Sequence, residues 1–330
     1  MSRTFTILGA GVAGLAVATE LTRRGAAVRL IDPAGRPGRH CCSWWAGGML
    51  APFCEGETAE EPVVRLGREA AGWWQAAGAE VTHQGSLVLA LGRDRAELDR
   101  FARRTSHHRM LDAAALAEAE PALAGRFDRA LLFPTEAHIA PRKALAALAD
   151  RLEAQGVGIE TAPATGPVID CRGLAARDRL PDLRGVRGEM VLLRAPGIEL
   201  TRPVRMLHPR HPIYLVPRGD GTYMLGATQI ETEHRGAATL RSVVELLNAA
   251  YALDPAFAEA GVIQVGADLR PAFPDNLPRI RRQGDRILVN GLFRHGFLLA
   301  PAMARMVAEL VLDGRKPEVM DEDHGEWHAA

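Results

Sequence analysis

The chain has 330 residues, 47% of them hydrophobic, with 40 basic and 40 acidic side chains and a formal net charge of zero. That length allows one large or two medium domains around a substantial core. The charge balance argues against a polybasic surface for nucleic acid or membrane, and four cysteines (Cys41, Cys42, Cys54, Cys171), none at zinc spacing, with no secretion signal, lead us to expect a cytoplasmic protein.

In chain order, residues 4–8 (TFTIL) read as a buried strand. The turn GAGVAG (9–14) follows, comprising Gly9, Ala10, Gly11, Val12, Ala13 and Gly14. Apolar spacing then predicts a helix over 12–24, closed by Arg23, Arg24 and Gly25, and AVRLID (27–32) predicts a second strand ending in Asp32. This is a βαβ unit for a dinucleotide. Gly9 permits the tight turn, Gly11 lets a pyrophosphate approach the backbone and Gly14 lets the helix pack closely on the strand. The helix N-terminus faces the phosphates and Asp32 can accept from ribose hydroxyls. Read for structure alone, the same glycines are a turn that packs a helix on a sheet. The uncharged stretch 4–19 is too short and too glycine-rich to span a bilayer.

Further along, the pattern predicts a helix over 61–77, a strand at 86–91, a helix near 94–104, a short capped helix at 112–120, a strand at 130–134 and a helix at 141–155. A short strand at 168–171 precedes Gly173. Between 187 and 230 three alternating segments (GEMVLL, PIYLVP, TYMLGATQ) predict half-exposed antiparallel sheet. A helix follows at 239–251, then a strand at 286–292 and a helix at 300–312. Parallel βα units thus occupy both termini with antiparallel sheet between them. The expected fold is α/β, a Rossmann-like domain interleaved with a mixed, largely antiparallel one. Two uncharged or nearly uncharged glycine loops, SWWAGGMLAPFCE (43–55) and GLFRHGFLLAPA (291–302), each follow a segment of the nucleotide-binding half. That return of the chain suits a long cofactor held at both ends.

At these residues the chain resembles the D-amino-acid-oxidase superfamily of FAD enzymes, and within it the glycine oxidases of thiamine biosynthesis (ThiO type). The matching segments are GAGVAG (9–14), AGGMLAPFCE (46–55), RGVRGEM (184–190), HPRHPIYLVPR (208–218), LGAT (225–228), LRPAFPDNLPRI (269–280) and GLFRHGFLLAPAMA (291–304), in the family's order. The resemblance implies an FAD-binding domain built from 1–80, 135–185 and 275–330, and a substrate domain from 81–134 and 186–274. It implies that Gly9, Gly11, Gly14 and Asp32 hold the ADP half of FAD. The loop from Ser43 through Ala46, Gly47, Gly48 and Met49 would run along the isoalloxazine. Cys171 and Gly173 would lie near the nucleotide. The backbone of His295, Gly296, Phe297, Leu298 and Leu299 would approach the pyrimidine edge. Tyr214, Arg270 and Arg294 align with residues that bind the substrate carboxylate or line its pocket. No cysteine stands near 270–280, where some relatives attach the flavin covalently, so non-covalent FAD is expected.

Physical chemistry supports that casting, since a planar fork of donors suits an amino-acid carboxylate and only arginine supplies one. Arg270 and Arg294 both sit in apolar sequence surroundings, where an unpaired charge is costly. The bland alternatives are a structural ion pair for either arginine and simple core packing for Tyr214. His208 and His211 of HPRHP lack acidic or cysteine neighbours, so no metal is expected. Trp44-Trp45 and Trp73-Trp74 read as packing, and His107-His108 as a solvated pair. The implied reaction is oxidation of glycine by hydride transfer from Cα to flavin N5 without a protein base. Dioxygen reoxidises the flavin and gives hydrogen peroxide. The imine is hydrolysed to glyoxylate and ammonia or handed to a thiazole synthase. Sarcosine or a D-amino acid as substrate, or a non-catalytic FAD protein, are the alternatives. The expected partners are a small amino acid and dioxygen, with no nucleic acid and no membrane, and a homo-oligomer is expected.

Overall fold

The computed structural model describes residues 4–208 and 212–321. His211 of the HPRHP stretch lies outside the described residues. Among those described, a seven-stranded sheet runs in the order Met320–Asp321, Arg279–Gln283, Arg286–Asn290, Val168–Asp170, Thr4–Leu8, Ala27–Ile31, Ile159–Glu160. Its neighbours are parallel except for Arg279–Gln283 with Arg286–Asn290, the one hairpin. Helices Val12–Arg23, Pro141–Ala154 and Gly296–Asp313 share one apolar core with it, including Ile7, Leu15, Leu148 and Val307. A buried parallel sheet needs such cover on its faces, which is why its strands read as short unbroken apolar runs.

A second sheet of nine strands draws on residues 86–133 and 184–272. Its longest members, Arg184–Arg194 and Gly261–Ala272, pair antiparallel along nearly their whole length. Helix Leu240–Leu253 buries Leu246 and Ala250 against this sheet, started by the Thr239 hydroxyl that accepts from Ser242 N at 3.3 Å. A small third sheet, Met49–Leu50 with Ala137–Ile139 and Val81–Thr82, fixes the loop that follows Trp45. Among the described residues no helix is long and apolar enough to cross a membrane.

Most elements expected from the sequence are present; two helices differ in their bounds, and several strands were not expected. The helix expected over 61–77 is two, Glu61–Gly67 and Ala70–Ala76. They meet where Gly67 packs so tightly on Leu298 that a Cβ would lie 2.8 Å from its Cγ. The strand Gly261–Ala272 was hidden by its two glycines; Gly266 is there because a Cβ would lie 2.1 Å from the Trp45 ring. The last helix begins at Gly296 rather than 300, with Pro301 inside it. Proline lacks the N–H that would bond the carbonyl four residues earlier. That carbonyl, Phe297 O, instead accepts from the buried Trp74 indole at 2.8 Å. The helix therefore extends one turn back past its proline, and its N-terminus is placed beside the glycine turn.

This substitution of an indole for a backbone donor is testable. Trp74→Phe should cost about 1–3 kcal/mol, the penalty of an unsatisfied buried acceptor plus lost packing. In a Pro301→Ala background a backbone N–H is available again, so the same substitution should cost distinctly less. Additive losses in a calorimetric double-mutant cycle would show that the indole bond carries no such role.

Candidate active site

The first glycine turn is fixed by close approach. Gly9 has φ +94°, and a Cβ there would lie 2.7 Å from Cys171 O. A Cβ on Gly14 would lie 1.8 Å from Gly9 O, so no other residue lets the helix start there. Gly11 differs: a Cβ would meet only Cys41 Sγ and Ser43 Oγ, each at 3.5 Å. Its open side faces a cavity of about 810 Å³. That is within the range of roughly 300–1,000 Å³ usual for ligand and cofactor sites. Val12 N donates to Ser43 Oγ at 3.1 Å, which brings the 43–49 loop to the helix N-terminus. Asp32 accepts from Ala10 N (2.7 Å) and Ala34 N (2.9 Å), and a carboxylate so bonded keeps lone pairs for hydroxyl donors.

The same cavity is lined by Gly9, Gly11, Val12, Ala13, Asp32, Ser43, Ala46, Gly47, Gly48, Met49, Cys171 and Gly173 from the turns, and by His295, Gly296, Phe297 and Leu298 from the last helix. Tyr214, Arg270 and Arg294 line it as well. Three of the residues expected at the site stand apart from its wall. Ala10 and Gly14 lie behind the turn, and Leu299 faces a separate small pocket with Pro62 and Leu277. In the loop, Gly48 has φ +75°, and a Cβ there would lie 2.3 Å from Ile139 O. Arg218 ties this loop down by donating to Gly47 O (2.7 Å) and Ile139 O (3.0 Å). Burial pushes the Arg218 guanidinium down to about 10, yet it stays charged at neutral pH.

At the far end stands Arg270. Gly188 makes room for it, since a Cβ there would lie 2.1 Å from its Nη2. Arg270 donates to Thr228 O at 3.1 Å and Arg187 O at 3.4 Å, and among the described residues it has no carboxylate partner. Burial lowers its pKa, opposed by the neighbouring Tyr214. Tyr214 is directly opposite Arg205 in the adjacent antiparallel strand, and burial raises its phenol. Arg294 is placed differently from Arg270. It is partly exposed and pairs with Glu55 Oε2 at 2.8 Å and Thr58 Oγ1 at 2.6 Å.

Glu55 is the residue that the sequence did not single out. Its carboxylate meets Arg205 Nη2 at 2.6 Å, Arg294 Nη2 at 2.8 Å and His295 Nε2 at 2.9 Å. Burial alone would raise its pKa; Arg294 and Arg205 overcome that and hold it well below the usual carboxylate range. Burial lowers the His295 pKa against the opposing pull of Glu55, and its Nδ1 is buried with no partner among the described residues. Behind Glu55, the buried Glu136 accepts from Cys54 N at 2.8 Å, and desolvation raises it to about 7. Arg205, Arg218 and Glu136 were also missed. The one available signal was Glu55 itself, the only charge in the otherwise uncharged run 43–55.

The cavity thus joins a phosphate-type glycine turn to a buried, acid-free arginine through an uncharged loop and a second helix N-terminus, which defines a dinucleotide-dependent oxidoreductase. Residues 4–310 match the family described as FAD dependent oxidoreductase (DAO), and the chain belongs to that family. It is 57% identical over 311 residues to a proposed thiamine biosynthesis oxidoreductase ThiO of Rhizobium etli, covering 92% of this chain and 95% of that one. It is 29% identical to a glycine oxidase of Pseudomonas aeruginosa, covering 96% of both. It is 26% identical to a bifunctional ThiO/ThiG protein of Synechocystis, covering 93% of this chain and 51% of that one. The structure of glycine oxidase from Bacillus cereus superposes with a TM-score of 0.79 at 22% identity, covering 96% of both chains. The protein is an FAD-dependent oxidoreductase of the glycine oxidase type. The residues present fit that cofactor: the open face of Gly11 admits a pyrophosphate, and neither helix N-terminus carries an acid in its first turn.

Two outcomes follow. Gly11→Val should yield folded protein with little or no FAD, because its side chain projects into the cavity rather than into the fold. Flavin absorbance per chain equal to wild type would contradict that placement. For Glu136 the folded pKa, about 7, exceeds the unfolded value of 4.5. The folded state then binds more protons between those values, so this group's contribution to stability is fully present below 4.5 and falls by about 3 kcal/mol as pH rises through 7. Glu136→Gln should remove that decline, read as Tm against pH.

Proposed function

We propose that this chain oxidises glycine (glycine + O2 + H2O → glyoxylate + NH3 + H2O2). The observation that carries the reading is Arg270, a buried guanidinium with no carboxylate partner among the described residues, lining the cavity that also holds the glycine turn. FAD, when bound, would supply the two-electron oxidation at Cα, with dioxygen as the final electron acceptor. The chain's own part is orientation. Arg270 grips the carboxylate, Tyr214 donates to it, and the uncharged loop 46–49 keeps water from the reacting face. Glu55 in this wall is committed to three cationic or ring-nitrogen partners and is not available as a base. The substrate amine therefore enters neutral. We assign cofactor binding to 1–80, 135–185 and 275–330, and the substrate wall to 81–134 and 186–274. Non-covalent FAD, a cytoplasmic setting and delivery of the imine to a thiazole synthase complete the reading; the ThiO/ThiG fusion supports the last.

Anaerobic mixing of the yellow holoprotein with glycine tests this, and bleaching of the flavin is expected. Faster bleaching by sarcosine or a D-amino acid would move the substrate, and an unreduced flavin with all of them would end the reading. Arg270→Ala should keep its FAD but lose about 2–5 kcal/mol in kcat/KM for glycine, with little recovery in Arg270→Lys. Undiminished turnover in Arg270→Ala would make the residue structural.

A further inference from the structure

We propose that Glu55 is a specificity-determining residue. Its carboxylate occupies, from within the chain, a second anion subsite made by Arg205, Arg294 and His295, and so restricts the cavity to amino acids bearing one carboxylate. The inference rests on the proposed oxidation of a small amino acid and names what selects it.

The geometry is that of a captured ligand. One oxygen of Glu55 faces Arg205 at 2.6 Å, and the other faces Arg294 at 2.8 Å and His295 at 2.9 Å. Charge-assisted arginine contacts on both oxygens of a carboxylate are of the strong kind that also hold acidic ligands. Neither arginine pairs with any other carboxylate among the described residues. The subsite adjoins the main anchor: Arg205 and Tyr214 are directly opposite on neighbouring strands, and all these groups line one cavity with Arg270. Stability alone is a weak reason for the cluster, because buried ion pairs seldom repay their desolvation. The Glu55 backbone is held independently of its side chain, with Glu55 O accepting from Thr58 N (3.1 Å) and Ala59 N (2.8 Å). Truncating the side chain therefore leaves the chain path in place and two arginines facing an open position.

A substrate able to fill that position is glycine extended by one acidic arm. The simplest is N-carboxymethylglycine (iminodiacetate), whose oxidation balances as iminodiacetate + O2 + H2O → glycine + glyoxylate + H2O2. One Cα–H and the nitrogen lone pair supply the two electrons, and water cleaves the C=N bond.

The test uses FAD-loaded wild type, Glu55→Ala and Glu55→Gln. Binding of acetate and of diglycolate, which has two carboxylates and no oxidisable amine, is read from perturbation of the flavin spectrum. Glu55→Ala should tighten diglycolate relative to acetate by ~10–100-fold, the worth of one charged hydrogen-bonded pair. Its ratio of kcat/KM for iminodiacetate over glycine should rise by a similar factor. Glu55→Gln keeps the bulk and should show neither gain. If Glu55→Ala accumulates poorly, diglycolate in the buffer should restore its flavin content and raise its Tm more than it does for wild type. An unchanged diglycolate-to-acetate ratio, no response of Tm, or a wild type that already prefers diglycolate would each overturn the proposal. Failure of the wild type to oxidise glycine would instead strike the oxidation reading, because the binding titration does not depend on turnover.

Discussion

A guanidinium buried without an acid is the constraint on which the rest of this structure depends. Arg270 gives up bulk water and receives in exchange two backbone carbonyls, at 3.1 and 3.4 Å. Desolvation opposes its charge, and a carboxylate arriving beside it relieves that cost. The sheet is built to hold it in this condition. Gly188 on the paired strand leaves room for the side chain where it lies, and Tyr214 stands next to it as a neutral donor. The energy withheld from folding is then available for binding an amino acid in one orientation.

Several other charges near the cavity keep its wall in shape. Arg218 is buried to hold three carbonyls of the loops at 46–47 and 139. Glu55 collects Arg205, Arg294 and His295, which locks the short helix Pro52–Glu55 to the start of the last helix. That helix reaches the cavity because Trp74 takes the carbonyl which Pro301 cannot serve. An apolar cofactor surface, a fixed loop and a buried Arg270 with no carboxylate partner among the described residues are separate consequences of this division of partners.

What was legible in the sequence is what local sterics dictates. The turn at Gly9, Gly11 and Gly14 could be read because close approach excludes side chains there, and the distances at Gly9 and Gly14 agree. The clustering of Tyr214, Arg270 and Arg294 along one cavity wall was likewise expected, from the family resemblance of their segments. Glu55 was not legible, since its partners are 150 residues away at Arg205 and 240 at His295. Nothing in the spacing of isolated charges reveals such pairs. The early start of the last helix was hidden for a similar reason. Pro301 is a valid local stop signal, and only a tertiary donor from Trp74 overrides it. The strand Gly261–Ala272 was obscured by glycines whose purpose, room for Trp45, lies in another segment.

The most direct measurement is a crystal structure of the FAD-loaded protein with acetate, a carboxylate that cannot be oxidised there. Acetate should be held by both terminal nitrogens of Arg270, with the Tyr214 hydroxyl donating to it and Glu55 still on Arg205 and Arg294. Acetate bound to Arg294 with Arg270 unchanged, or Arg270 found paired with an acid of the chain itself, would contradict this placement.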